Sequence, residues 1–323
     1  MVTENQPPAS QLRLMTRVAR MYYENDLNQP QIAEQLHVSQ AKVSRLLKRA
    51  TELGIVRVAV VPPPGGHSEL EERLVATFGL ADAVVADAAA DDEAGIISAV
   101  GAAAASYLDD VLLSHERIGI SSWSATLLAM VNVMSTRAKA VADSVTQVIG
   151  GVGVPQAQVQ ATRLTERLAD LTGAEAHFLA APGVVSSAAL GQAMMAEPYV
   201  AGVVEQWRDL TVVLAGIGSL EPSPLLRESG NTLPGKDLDE LRSLGAVGDV
   251  CLRFFDATGH AVESDLDRRV VGISPEALKA VPRRVGVAGG ARKHTAIKAA
   301  VVGGWINVLV TDVATAEAIL SGQ

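Results

Sequence analysis

The chain has only one cysteine, Cys251, in 323 residues. A single thiol can form no internal disulfide and builds no multi-cysteine metal site, a usage that suits a reducing compartment. Aromatic side chains make up 3% of the sequence, so any core must be built from Ala, Val, Leu and Ile. Long apolar runs are also missing. The longest uncharged stretch, Ala176 to Ala196, is interrupted by Pro182-Gly183, Ser186-Ser187 and Gln192. A membrane span needs roughly 20 continuous apolar residues. The opening residues Met1 to Ser10 have neither the basic start nor the apolar stretch of a secretory signal. These absences predict a cytoplasmic protein with no membrane partner, no metal site and no cofactor.

What is present is a hydrophobic fraction of 48% against 20% charged residues, the balance of a well-buried globular chain. The length allows about two domains of roughly 150 residues. The net charge of −9 is unevenly spread. Residues 1–61 carry eight Lys/Arg against five Asp/Glu, and residues 62–323 carry nineteen against thirty-one. A basic head on an acidic body suits a nucleic-acid reader, because only the contacting face must attract phosphate. Ordinary surface variation explains the same imbalance, so the position of the charges has to decide.

Apolar spacing of three and four residues predicts a helix over Ser10 to Asn25, with Leu12, Met15 and Ala19 on one side. Asn28 or Gln29 opens a short helix, Gln31 to Leu36. Ser39 is placed to cap a third, Gln40 to Leu53, which Gly54 stops. A β-prone run follows at Ile55 to Val61, then the Pro-Pro-Pro-Gly-Gly linker at 62–66. Ser68 to Phe78 reads as helical. Beyond it, short apolar runs alternate with helical segments: Ala83 to Val85, Arg117 to Ser121, Val145 to Ile149, His177 to Ala181, Thr211 to Ala215, Val250 to Phe255, Val285 to Ala288 and Ile306 to Thr311 as strands. Intervening helices include Ile97 to Leu113, Ala125 to Met134, Gln158 to Leu171, Ser187 to Arg208, Asp237 to Leu244, Lys293 to Val302 and Ala314 to Leu320. This alternation predicts a mostly parallel sheet covered by helices on both faces. Asp256 to His260 reads as a hairpin turn. The expected architecture is a small all-α winged helix-turn-helix at 1–61 and a large Rossmann-like α/β domain at 67–323.

Within Gln29 to Lys48, Ile32, Ala33 and Leu36 form the inner face of one helix and Val43, Leu46 and Leu47 that of the next, with Val38 sealing the turn. Turning these inward leaves Gln40, Lys42, Ser44, Arg45 and Lys48 outward. Such side chains on a groove-sized helix reach base edges and phosphates. Gln40, Lys42 and Ser44 are placed for bases, Arg45 for base or backbone, and Lys48 and Arg49 for phosphate. Arg57 would join a wing. A plain three-helix module with a solvated basic face is the competing reading.

In an open α/β sheet, ligands bind beyond the carboxyl ends of strands. Ser122-Trp123-Ser124-Ala125-Thr126 ends one strand and opens a helix, where hydroxyls and free amides can cradle phosphate or simply cap. Gly150-Gly151-Val152-Gly153 ends a second and permits close backbone approach or a turn. Gly289-Gly290 ends a third, with Lys293 in the following turn, where a cation opposes the helix dipole and wants an anion. Asp249 can accept hydrogen bonds from sugar hydroxyls or cap a turn. Together these residues describe a sugar-phosphate site.

These residues carry a resemblance to a known family. The chain resembles the SorC group of sugar-binding transcriptional regulators, often grouped with DeoR-type regulators. The likeness runs from Gln31-Ile32-Ala33 and Leu46-Leu47 through Gly119 to Thr126, Gly216-Ile217-Gly218, Gly245 to Asp249, Arg253 to Asp256, Val271 to Ser274, Val287 to Gly290, Gly303-Gly304 and Asn307 to Asp312. It implies an effector domain similar to ribose-phosphate isomerase and glucosamine-phosphate deaminase folds without their catalysis. It also implies a homo-tetramer whose affinity for operator DNA is changed by a phosphorylated sugar or polyol. The family's phosphate loop falls on Ser124, Ala125 and Thr126, its sugar-contacting acid on Asp249 and its helix-start lysine on Lys293. Ser124 departs from the family, where a glycine is common. An isomerase or deaminase is the alternative on the same architecture, but it needs a positioned acid/base pair, and of six histidines only His294 stands near a proposed phosphate loop. A DNA-binding scaffold without ligand is the other alternative.

Overall fold

Helices α1 (Ala9–Tyr23), α2 (Gln29–Gln35) and α3 (Gln40–Glu52) belong to the first of two units into which the chain divides, Met1–Pro64 and Gly65–Gln323. The computed structural model describes residues 8–56, 66–90, 92–137, 139–151, 155–221 and 233–322. The run Ile55–Val61 with the Arg57 wing, the linker and the Val152-Gly153 end of the second glycine stretch lie largely or wholly outside those residues.

Local chemistry marks the helix starts in the first unit. Asn28 and Gln31 form a reciprocal cap: the Asn28 side chain accepts from the Gln31 amide at 3.0 Å, and the Gln31 side chain accepts from the Asn28 amide at 2.9 Å. Ser39 accepts from the Lys42 amide at 3.3 Å, so α3 begins at the expected residue. Met15, Val18, Ile32, Ala33, Val43, Leu46, Leu47 and Ala50 close a core of their own. Between α2 and α3 the chain reverses through His37, which adopts a left-handed φ of 50°.

In the second unit, strands β1 (Asp82–Ala86), β2 (Glu116–Ile120), β3 (Ala142–Gln147), β4 (Glu175–His177), β5 (Val212–Ala215), β9 (Arg283–Val287) and β10 (Val308–Asp312) form one sheet. Its order is β1-β10-β9-β5-β2-β3-β4, with every pairing parallel. Alternate side chains serve opposite faces. Ile118, Ile120, Val212, Leu214, Val285 and Val287 pack under α5 (Glu93–Val111), α6 (Ala125–Val133) and α7 (Pro155–Thr172). Val213, Ala215 and Leu309 pack under α4 (Ser68–Phe78), α9 (Pro198–Gln206), α12 (His294–Val302) and α13 (Val313–Ser321). A second sheet of β6 (Gly218–Ser219), β7 (Ala246–Val250) and β8 (Arg253–Asp256) is antiparallel and inserted between β5 and β9. Two further helices are α10 (Gly235–Ser243) and α11 (Pro275–Ala280). Among the described residues no helix is long and apolar enough to cross a membrane.

Several expected elements are corrected. Val250 to Phe255 is not one strand: Cys251 and Leu252 take φ of 55° and 58° and reverse the chain between β7 and β8. Asp249 therefore lies inside a strand rather than ahead of one. Ser187 to Arg208 is two helices, α8 (Ala188–Ala196) and α9, because Pro198 holds Glu197 extended at ψ 133°. His177 to Ala181 is strand only at its first residue. The turn at Asp256 to His260 forms as expected, with the Asp256 carboxylate accepting from the amides of Thr258 and His260 at 2.9 and 3.0 Å.

Candidate functional site

On α3 the side chains of Gln40, Lys42, Ser44, Arg45, Lys48 and Arg49 are all exposed, and Val43, Leu46, Leu47 and Ala50 are buried. The helix presents all four of its basic groups, Lys42, Arg45, Lys48 and Arg49, on the surface turned away from its own core. Arg45 Nε donates to the Ala41 carbonyl at 3.3 Å and Arg49 pairs with Glu52 at 2.9 Å, so Lys42, Arg45 and Lys48 have no carboxylate partner among the described residues.

The larger site follows from the strand order. β2 leads on to β3 and β4 in one direction, and β5, β9 and β10 run the other way, so the order reverses between β2 and β5. Loops leaving the carboxyl ends of adjacent strands diverge there and leave a crevice. A cavity of about 600 Å³ occupies this place, lined by the segments after β2 (Ser121, Trp123 to Thr126), after β5 (Gly216 to Ser219) and after β9 (Gly289 to Lys293). The hairpin of the small sheet adds Asp249, Cys251 and Leu252, and the start of α5 adds an apolar wall of Ile96, Ile97 and Val100.

Seven of the ten residues expected to contact an effector therefore line one space: Ser124, Ala125, Thr126, Asp249, Gly289, Gly290 and Lys293. Ser124 is the N-cap of α6 and accepts from the Leu127 amide at 3.2 Å. Its hydroxyl is spent on the helix, whereas the amides of Ala125 and Thr126, both of which line the cavity, belong to the first turn, where an α-helix supplies no partner of its own. Lys293 is the residue before α12, closing a 3-10 turn Ala291–Lys293. Burial pushes its ammonium below the usual lysine range, and the nearby Asp249 carboxylate partly offsets this. Burial pushes the Asp249 carboxyl up to about 6, against the opposing pull of the Leu252 amide, which donates to it at 2.9 Å, and of Lys293. Gly218 is required beside it: a Cβ there would lie 1.9 Å from an Asp249 carboxylate oxygen. Cys251 is buried and its thiol is pushed up to about 12, so it is held neutral.

Three expected residues are not in the cavity. Ser122 is 2% exposed and its hydroxyl is buried without a partner among the described residues. Gly150 faces Pro182, whose carbonyl oxygen a Cβ at 150 would meet at 2.4 Å. Its own carbonyl accepts from the Trp123 indole at 3.0 Å. The glycine allows two loops to pack and seats the tryptophan. Gly151 abuts the Gln147 side chain instead. Gly290 lines the cavity, but its amide is turned away and donates to Asp312 and Thr315, both at 2.9 Å.

Sequence reasoning named Gly216 to Gly218 and Trp123 only within motifs, without a contact role, and left out Ser219 and the charged rim, where Arg292 pairs with Glu93 and stands 3.7 Å from Glu221. The first was within reach, since Gly216 directly follows an expected strand at the same edge. Among the described residues no group of three or more His, Cys, Asp or Glu is placed to hold a metal ion.

Residues 63–321 match the profile of a family described as a sugar-binding domain. The chain is 31% identical over 313 residues to the sorbitol operon regulator of Klebsiella pneumoniae, spanning 96% of this chain and 98% of that protein. It is 30% identical over 310 residues to the deoxyribonucleoside regulator of Bacillus subtilis, spanning 96% and 97%. The crystal structure of the full-length Klebsiella regulator, SorC, superposes with a TM-score of 0.72 at 29% identity, covering 97% of this chain and all of that one.

Proposed function

The chain belongs to the sugar-binding-domain family of SorC-type transcriptional regulators, and from that premise we propose that it binds operator DNA through α3 and is controlled by a phosphorylated sugar or polyol held in the cavity at the β2/β5 switch point. Its full-length relatives regulate transcription and it does the same; it is not an isomerase or deaminase. On this reading residues 1–61 are the DNA-binding domain, and residues 67–323 sense the effector and assemble the chain into a homo-tetramer in the cytoplasm.

One observation carries the effector reading: Ala125 and Thr126 in the first turn of α6, Lys293 and Asp249 all border one cavity. Donors and a cation suit a phosphate, and a carboxylate suits hydroxyl groups on the same molecule. A ligand that binds only the native state raises the melting temperature by mass action. In a screen of pentose, deoxypentose and hexitol phosphates, at least one phosphomonoester is expected to raise the melting temperature and change operator affinity, and its dephosphorylated parent to do neither. A flat response to the whole panel would leave the second unit as a scaffold for a DNA-binding head.

A further inference from the structure

We infer that Asp312 and Thr315, which do not line the cavity, are positioning residues that set the shape of the effector loop Gly289–Lys293. This rests on the reading of that cavity as a phosphate-binding site.

Asp312 ends β10 and is the N-cap of α13, its Oδ1 accepting from the Thr315 amide at 2.9 Å. An N-cap needs only that one oxygen. The second oxygen is also committed. Oδ2 accepts from the Thr315 hydroxyl at 2.6 Å and from the Gly290 amide at 2.9 Å, across 22 residues of sequence. The Thr315 oxygen approaches the same amide at 2.9 Å. Asp312 and Thr315 are 2% and 0% exposed, so water does not compete for these bonds.

The loop is shaped around this carboxylate. A Cβ on Gly289 would lie 2.2 Å from Asp312 Oδ2 on one side and 3.1 Å from Ile96 on the other. Gly290 then turns left-handed at φ 95°, and its carbonyl accepts from the Lys293 amide at 2.9 Å. One carboxylate oxygen thus fixes the Gly290 amide, the Gly290 carbonyl fixes Lys293, and the ammonium is delivered beside Asp249. A donor bonded to an ionised group is shorter-tethered than a neutral pair, which suits a loop that must hold its geometry with no ligand present.

Asp312→Asn separates the two duties of the side chain. An amide oxygen in the Oδ1 position still caps α13, but an NH2 group replaces Oδ2 and confronts the Gly290 amide, a donor that cannot change role, while the Thr315 hydroxyl can turn to accept. The test uses the full-length protein with inorganic phosphate as probe, in chloride buffer at fixed ionic strength. Dissociation constants are taken from the melting temperature against phosphate concentration. Asp312→Asn is expected to weaken phosphate binding roughly tenfold, the scale of one charge-assisted hydrogen bond. Thr315→Val should shift it in the same direction, Thr315→Ser should retain wild-type affinity, and operator affinity without phosphate should stay unchanged in all three. A folded Asp312→Asn protein with wild-type phosphate affinity overturns the inference, even if its melting temperature is lower. If Asp312→Asn does not fold, Thr315→Val decides in the same way against Thr315→Ser. A wild-type protein blind to phosphate and to every phosphomonoester removes the parent reading instead, which is a different result.

Discussion

Two charged residues on neighbouring strands of the small sheet show how environment separates structural from functional groups. Arg253 is 6% exposed and held by four hydrogen bonds: it donates to the carbonyls of Ile273, Asp267 and Gly272 and pairs with the Asp267 carboxylate, all at 2.8 to 3.0 Å. With four of its five N–H donors committed to the protein, it bolts the Asp267–Ile273 segment to β8. Asp249 is the opposite case, with one amide partner and an open side toward the cavity. Its carboxyl sits at about 6 because burial opposes its charge, and Lys293 and the neutral Cys251 are the titratable groups facing it. Since the folded pKa lies above the ordinary carboxylate value, the folded state binds this proton more tightly than the unfolded chain. The associated stability is present in full below about pH 4 and is lost as pH rises through 6. Asp249→Asn, neutral at every pH, should lack that decline. The variant is expected to be more stable than wild type at pH 7 to 8, on the order of 2 kcal/mol, with the difference vanishing toward pH 4. Melting temperatures of the ligand-free proteins across pH 4 to 8 check this, and parallel curves would show that Asp249 is not held back from ionising.

At the scale of elements, what was legible in the sequence was whatever local chemistry decides. Asn28, Gln31 and Ser39 act on amides three residues away, so the starts of α2 and α3 could be read to within two residues, and the strand-to-helix junctions at Ser124 and Lys293 were equally visible. The hairpin at Cys251-Leu252 was not, because neither residue favours a left-handed backbone and no Asn-Gly pair marks the turn. It is held by the Asp249 carboxylate on the Leu252 amide and by pairing with β8, which only the fold supplies. Gly150-Gly151 looked like a ligand loop for the converse reason: a glycine that admits a neighbouring backbone has the same letter as one that admits a phosphate. Asp312 was illegible as a clamp, since its second partner is on another loop. For α3 the local reading makes a direct prediction. Replacing Lys42 and Arg45 with Ala removes two exposed cations and disturbs no buried side chain. Operator binding should weaken at least tenfold near physiological salt. The slope of log affinity against log salt should become shallower by about one to two, since each phosphate contact contributes close to one. Titrations at several salt concentrations measure both, and an unchanged affinity and slope would take the DNA-reading face away from this helix.

For the whole molecule, the division of charge matches the division of labour proposed for the two units. The head carries a balance of positive charge and the body a larger balance of negative charge, so the attraction to DNA is confined to the few residues that must touch it, and the body adds repulsion that discourages other modes of binding. Each unit closes its own core, so a ligand in the second can control the first only thermodynamically: it must bind the DNA-bound and DNA-free proteins with different affinity. That requirement is reciprocal. If a saturating phosphomonoester changes the operator dissociation constant by some factor, saturating operator must change the phosphomonoester's dissociation constant by the same factor. Regulatory couplings usually amount to about 5- to 150-fold, well within reach of fluorescence anisotropy with labelled operator for one arm and calorimetry for the other. The two factors are expected to agree, and Asp312→Asn is expected to leave them equal while shifting both effector constants together, because it loosens the site in either state. A phosphomonoester that binds the cavity tightly yet gives a factor of one in both arms would show that occupancy and DNA affinity are uncoupled, and the second unit would then be a binding module carried by a constitutive DNA-binding protein.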